Sequence, residues 1–296
     1  MVFGAGGFLG REVSEYLSAE HSIARVSGMA KRELVIGGYN NEYQKTFPLN
    51  DSSLDRIISE FKPSIIINCA GLIGDRACEQ NSEEAKWANA SFVAQLAKVS
   101  DRTNSFLIHF SSDAVFGDQF TDRVESDTPT PKTIYGKTKL MGENYALDYS
   151  KNTLVVRTNF FGHSGTLNKG LFDFFYQRLR KGLETHGYED VFFNPVLISE
   201  IAPAVLKAKE IKMTGILHLC GNNFMSKYRF GTLIAKAMLT NEHLIIRNSL
   251  QNSPRLDSRK LMYLNSTRKD WLGLKFMSVI EGVEAARIAA EKGKNE

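Results

Sequence analysis

Short apolar runs alternate with amphipathic stretches along the first half of the chain. Met1-Val2-Phe3 is an apolar run that ends in Gly4-Ala5-Gly6-Gly7-Phe8-Leu9-Gly10. Arg11 to Leu17 then carries Val13, Tyr16 and Leu17 on one side, as a helix does. Ile23 to Val26 predicts a second strand. Asn50-Asp51-Ser52-Ser53 reads as the cap of a helix over Leu54 to Phe61, which Lys62-Pro63 breaks. Ile65-Ile66-Ile67 predicts the next strand. Glu83 to Val99 predicts one long helix, with Trp87, Ala90, Ala94 and Ala97 on related turns. Phe106 to Phe110 is an apolar strand ending in two hydroxyls, Ser111 and Ser112. Gly117 to Thr133, with Gly, Asp and two prolines, predicts a loop over the mouth of a site. Leu154 to Thr158 predicts a further strand. Beyond it the pattern is irregular: Leu171 to Lys181 is helix-like, and Asn194-Pro195 and Ser253-Pro254 mark bends. Strands alternating with helices predict an α/β fold with a doubly wound parallel sheet.

Strand, glycine turn and helix, in that order, form the context of a dinucleotide fingerprint. Gly4 permits the tight turn, Gly7 lets the backbone approach a pyrophosphate, and Gly10 lets the helix pack on the sheet. The helix start, with Phe8 and Leu9, then offers free N–H groups to phosphates. At the end of the second strand an acidic residue would hold the ribose of NAD(H). That position is Ser27, followed by Gly28, Lys31 and Arg32, which favours the 2′-phosphate of NADP(H).

Tyr135 and Lys139 stand four residues apart in Tyr135-Gly136-Lys137-Thr138-Lys139. On a helix this spacing puts phenol and ammonium on one face. The cation favours the phenolate and makes the tyrosine a usable proton donor or acceptor near neutral pH. Ser112 supplies a hydroxyl at a strand end, where an open α/β sheet binds ligands.

These motifs together resemble the extended short-chain dehydrogenase/reductase superfamily, and most closely the dTDP-4-dehydrorhamnose reductases and related nucleotide-sugar reductases. The matching segments are the glycine loop, Ser111-Ser112-Asp113-Ala114-Val115-Phe116, and Tyr135 to Glu143. Ile65 to Gly71, Val155 to Gly162 and Gly215 to Gly221 are similar as well. The resemblance implies a Rossmann-type fold, with an NADP(H)-binding domain over residues 1–160. A smaller substrate region over residues 161–296 follows, whose segments interleave with it. It implies that Ser112, Tyr135 and Lys139 are catalytic, and that Ser112, Asp113 and Tyr135 meet the substrate. Gly4, Gly6, Gly7, Phe8, Leu9, Gly10, Ser27, Lys31, Arg32, Cys69, Ala70, Gly71, Tyr135 and Lys139 are implied to meet the cofactor. The expected reaction is NADPH-dependent reduction of a keto group on a nucleotide-linked 4-keto-6-deoxy sugar, in surface polysaccharide precursor synthesis. The same scaffold also serves NADP(H)-binding regulatory subunits and nucleotide-sugar epimerases or dehydratases. Asn89 falls at a helix position used near the site in this superfamily, and a buried polar tie is its expected role.

Composition agrees. The 296 residues, 43% hydrophobic and 24% charged, suit a folded protein with a sizeable core. A net charge of +4 without long runs fits an anionic small molecule rather than nucleic acid. Cys69, Cys78 and Cys220 have no metal or redox spacing, so reduced thiols and a cytoplasmic location are expected. No membrane span, signal peptide or metal site is expected, and a homodimer is possible.

Overall fold

The computed structural model describes residues 1–19, 21–27, 33–38, 44–48, 51–117, 123–250 and 261–292. Lys31 and Arg32, with Gly28, Asn50 and the Ser253-Pro254 bend, lie outside the described residues. Two compact units interleave along the chain. The first comprises Met1–Phe116, Thr128–Arg157 and Ala202–Leu217. The second comprises Gly117–Asp127, Thr158–Ile201 and His218–Glu296.

The first unit is built on an eight-stranded sheet. Its strands are β1 (Val2–Phe3), β2 (Arg25–Ser27), β3 (Glu33–Gly37), β4 (Gln44–Pro48), β5 (Ile65–Asn68), β6 (Phe106–Ser112) and β7 (Thr153–Thr158), plus Gly215–Leu219. Gly215–Leu219 forms one edge, followed by β7, β6, β5, β1, β2, β3 and β4. β1 pairs in parallel with β2 and β5, and β5 pairs in parallel with β6. Strands buried on both faces read as unbroken apolar runs, which is why Ile65-Ile66-Ile67 and Leu107-Ile108 announce themselves. The parallel expectation fails at the far edge. There β2, β3 and β4 are antiparallel neighbours, with Val26 opposite Ile36 and Leu34 opposite Phe47. Leu34-Val35-Ile36 was not read as a strand from the sequence. Gly215–Leu219, expected in the substrate region, instead joins the large sheet beside β7.

The helices of this unit are α1 (Phe8–Ser18), α2 (Asp51–Phe61), α3 (Asp75–Gln80), α4 (Ser82–Lys86), α5 (Phe92–Arg102) and α6 (Ile134–Tyr149), with the helix Ile201–Glu210 from later in the chain. The single helix expected over Glu83 to Val99 is not continuous. A π turn at Trp87–Ser91 separates α4 from α5. α6 presses on that turn: a Cβ on Gly142 would lie 2.0 Å from the Asn89 carbonyl oxygen, so only glycine allows the approach. Phe3, Val26, Leu54, Ile66, Phe92 and Val155 are among the residues that fill the core.

The second unit has its own core, dominated by rings: Phe161, Phe172, Phe175, Tyr176, Phe193 and Phe230. Its strands are short. Phe160–Phe161 pairs with Val196–Leu197, Thr185–Tyr188 with Ile245–Asn248, and Phe192–Phe193 lies between Met225–Ser226 and Leu261–Met262. The helix read over Leu171 to Lys181 spans Leu171–Arg180. No described helix is long and apolar enough to cross a membrane.

Candidate active site

The glycine turn joins β1 to α1. Gly4 takes a φ of +77°, and a Cβ there would lie 2.7 Å from the Ala70 nitrogen. Glycine is therefore required both by the left-handed backbone and by the neighbouring Cys69-Ala70 turn. Gly7 donates its N–H to the Gly4 carbonyl at 2.9 Å and precedes α1 without capping it by a side chain. Helix starts of this kind leave N–H groups and a partial positive charge for an anion. Leu9 is a core residue of α1. Gly6 is exposed, and a Cβ on it would lie 3.8 Å from that of Ser27. The second strand thus ends beside the turn. The sequence reading missed Arg25, whose guanidinium donates to the Ala5 carbonyl at 3.5 Å. Its signal was the two-residue offset from Ser27, which puts both side chains on one face of β2.

β6 carries the hydroxyls to the edge of the sheet. Ser112 Oγ donates to Asp113 Oδ1 at 2.9 Å and accepts from the Ala114 N–H at 3.2 Å. Asp113 therefore orients the serine locally. α6 begins against this same segment. Thr133 caps it by accepting from the Gly136 N–H at 3.1 Å, and a Cβ on Gly136 would lie 2.1 Å from the Ala114 carbonyl oxygen. The glycine after Tyr135 lets the first turn of α6, bearing the half-buried phenol, dock two residues beyond Ser112.

One turn further on, Lys139 is 5% exposed and donates to the Phe110 carbonyl at 2.6 Å. Its Nζ also lies 4.0 Å from where a Cβ on Gly71 would stand. The lysine thus reaches both β6 and the turn after β5. Burial pulls its pKa down to about 8, against the opposing pull of Glu143, Cys69 and Cys78. It stays mostly charged at neutral pH and loses its proton as pH rises through that value. Burial pushes the Cys69 thiol up, and that of Cys78 up to about 11, so both are protonated, unreactive neighbours.

Two polar ties hold the turn after β5. Asn89, fully buried on the π turn, accepts from the Leu72 N–H at 2.9 Å. Its amide donates to the Leu72 carbonyl at 3.0 Å and to Thr138 Oγ1 at 3.1 Å. It is a buried tie between that turn and α6. His109 Nδ1 stands 3.1 Å from Asn68 Nδ2, and Asn68 Oδ1 accepts from the Ala70 N–H at 3.1 Å. Burial, then the Lys139 charge, lowers the His109 pKa well below its ordinary value, so the ring is neutral and accepts at Nδ1.

Glu143, one turn beyond Lys139, was not singled out from the sequence as a site residue. Its carboxylate accepts from Ser111 Oγ and from Arg157, with Arg157 Nε at 3.0 and 3.1 Å and Nη2 at 2.7 Å. Both partners of the pair are 1% exposed. Arg157 also lies over the Phe116 ring, 5.0 Å from its centre. Glu143 so ties β6, β7 and α6 together at the residue before Ser112. The four-residue series Tyr135, Lys139, Glu143 was the available signal. A cavity of about 720 Å³ opens instead beside Met1, Ile23, Phe61 and Ile65, at the beginnings of the strands, and holds none of these residues.

A glycine-turn parallel sheet with Tyr135 and Lys139 on a helix docked at the end of β6 is the architecture of the extended short-chain dehydrogenases/reductases. Within that class, the chain belongs to the family described as the RmlD substrate binding domain, whose sequence pattern matches residues 1–259. Methionine adenosyltransferase 2 subunit beta of Rattus norvegicus is 26% identical over 286 residues, covering 93% of this chain and 82% of that protein. The probable low-salt glycan biosynthesis reductase Agl14 of Haloferax volcanii is 28% identical over 250 residues, covering 80% and 79%. The crystal structure of dTDP-4-dehydrorhamnose reductase from Bacillus anthracis, in complex with NADP, superposes with a TM-score of 0.82 at 22% identity, covering 97% of this chain and 96% of that one.

Proposed function

We propose that the protein reduces a keto group on a nucleotide-linked 4-keto-6-deoxy sugar with NADPH, in the manner of a dTDP-4-dehydrorhamnose reductase. The product would serve surface polysaccharide synthesis. The observation that carries this reading is Lys139, buried yet charged, bonded to β6 one helical turn from Tyr135.

The residues fit the cofactor. The Gly4 and Gly7 turn and the uncapped start of α1 suit a pyrophosphate. Ser27 and Arg25, on one face of β2 beside the turn, suit a 2′-phosphate. Lys139, beside the turn of Cys69, Ala70 and Gly71, would hold the nicotinamide ribose. The bound NADPH supplies the hydride. Tyr135 gives a proton to the alkoxide that develops on the sugar, and the ammonium of Lys139 stabilises the phenolate left behind. Ser112 would turn its single O–H from Asp113 to donate a hydrogen bond to the same oxygen, while the Ala114 N–H holds its Oγ in place. Asp113, released from that bond, would stand beside the substrate.

The test is loss of NADPH absorbance on adding a dTDP-linked 4-keto-6-deoxy sugar. A protein that binds NADPH but oxidises none with this or with other 4-keto nucleotide sugars would overturn the reading. A second reading is a nucleotide-binding subunit without turnover. It is favoured by the relatives named as a methionine adenosyltransferase subunit. Binding of NADPH at wild-type strength to a Tyr135→Phe variant, with no turnover in either protein, is the outcome it expects.

A further inference from the structure

β5 and β6 lie side by side in the first unit, and their paired residues Asn68 and His109 are both fully buried. Asn68 Oδ1 accepts from the Ala70 N–H two residues on, at 3.1 Å, and so bends the chain into the turn of Cys69, Ala70 and Gly71. That turn is wedged between the two ends of the proposed cofactor site. A Cβ on Gly4 would lie 2.7 Å from the Ala70 nitrogen, and one on Gly71 would lie 4.0 Å from Lys139 Nζ. A shift of Ala70 is therefore felt at both the glycine turn and the lysine.

The Ala70 N–H can only donate, so it fixes which way the Asn68 amide faces. The amide oxygen points to Ala70 and the NH2 group points to His109. His109 must meet that NH2 with a lone pair. Its Nδ1, 3.1 Å away, offers one when the proton sits on Nε2. Burial, then the Lys139 charge, keeps the ring neutral and so keeps that lone pair free. Nε2 finds no partner among the described residues, and a Cβ on Gly142 would lie 3.5 Å from it. A side chain with no acceptor in place of His109 would leave the Asn68 NH2 unpaired in the interior. Turning the amide over would only set its NH2 against the Ala70 N–H.

We infer that His109 is a positioning residue for the cofactor: its Nδ1 lone pair fixes the Asn68 amide, which holds the turn of Cys69, Ala70 and Gly71 against Gly4 and Lys139. The inference rests on the cofactor reading of that turn and needs neither the sugar nor turnover.

The experiment uses the full chain with NADP+ as the probe, by calorimetry, together with the Ala70 amide resonance by NMR. His109→Leu keeps an apolar side chain of similar size and loses the acceptor. It should bind NADP+ about three- to tenfold more weakly, and its Ala70 amide should lose its hydrogen-bonded shift. His109→Asn places an amide oxygen near the position of Nδ1, so it should stay within about twofold of the wild type and keep that shift. Packing alone would give the reverse order, since leucine fills the space of the ring better than asparagine does. Asn68→Ala should weaken NADP+ as His109→Leu does, and adding His109→Leu to it should cost nothing more, because the histidine acts through the amide. Wild-type affinity in His109→Leu or in Asn68→Ala, an asparagine variant no better than the leucine one, or additive losses in the double variant would each overturn the inference while leaving the cofactor site in place. If His109→Leu does not fold, His109→Asn and Asn68→Ala decide by the same criteria. A wild type that binds no NADP+ would overturn the cofactor reading of this turn and, with it, the inference.

Discussion

The two units hold their polar groups in different ways. In the first, charged and amide side chains are bonded inside a regular sheet-and-helix frame. Glu143 and Arg157 sit fully buried among β6, β7 and α6, and Lys139 is fastened to a strand carbonyl. In the second, strands of two to four residues leave long connections, and single side chains tie these down. Glu125 accepts from the His218 N–H at 3.0 Å, Ser266 Oγ at 2.5 Å and the Thr267 N–H at 2.9 Å. Asn194 bonds the Leu264 N–H and carbonyl at 3.1 and 2.7 Å. The contrast teaches that the first unit has little freedom to rearrange its proposed chemistry. The second can change its loops while keeping its aromatic core.

The contrast breaks most sharply at Tyr135. Tyr135→Phe is expected to lower kcat about 10²–10⁴-fold while NADPH affinity stays near wild type, because in the proposed reaction the phenol is the acid and contributes little to binding. Steady-state rates with calorimetry check it, and a variant retaining a tenth of wild-type kcat counts against the role.

Arg157→Met removes one partner of a buried ion pair and leaves Glu143 charged in the interior. The expected loss is about 3–5 kcal/mol of stability, read from the urea midpoint. A loss below about 1 kcal/mol would mean that the pair is not as dry as its burial implies.

Glu125 is the matching probe for the second unit. Burial pushes its carboxyl up, but hydrogen bonds from Ser266, Thr267 and His218 outweigh that and hold it at about 2, against an ordinary 4.5. Its stabilisation is therefore complete above pH 4.5 and is lost as pH falls towards 2. With half the group open to solvent, about 1–2 kcal/mol is at stake. Glu125→Gln should flatten the acid side of the stability curve by that amount. A curve as steep as that of the wild type refutes it.

Lys139 gives a pH test of the first unit. Its charge is present below about 8 and fades above. NADPH affinity should fall as pH rises through that value, in Tyr135→Phe as in wild type. An affinity that is flat across this range would take the lysine out of the cofactor site. The smallest effect belongs to Arg25: Arg25→Met is expected to weaken NADPH about two- to fivefold and leave NADH unchanged, by calorimetry at low salt. Equal weakening of both cofactors would make Arg25 a support for the Ala5 carbonyl alone.

Much of the first unit was legible because its signals are local. A turn that needs a left-handed residue shows as Gly4, a helix face as Tyr135 and Lys139, and a strand buried on both faces as Ile65-Ile66-Ile67. Each is a matter of neighbours within one turn or one strand, so the order of residues determines it. The antiparallel edge at β3 and β4 was not legible, since Leu34 and Ile36 become core only once Val26 lies opposite. The π turn at Trp87–Ser91 was likewise hidden, because what holds it is the approach of Gly142 from a distant helix. The same holds for Glu143 with Ser111 and Arg157, for His109 with Asn68, and for Arg25 at Ala5. A buried charge or amide must find a partner, but which partner depends on the elements that packing brings beside it. The sequence alone determined the glycine turn at Gly4 and the placing of Tyr135 and Lys139 one helical turn apart, because chain geometry sets those spacings. Tertiary structure alone decided that Lys139 is buried against the Phe110 carbonyl and that Glu143 pairs with Arg157, because both depend on which elements pack beside α6.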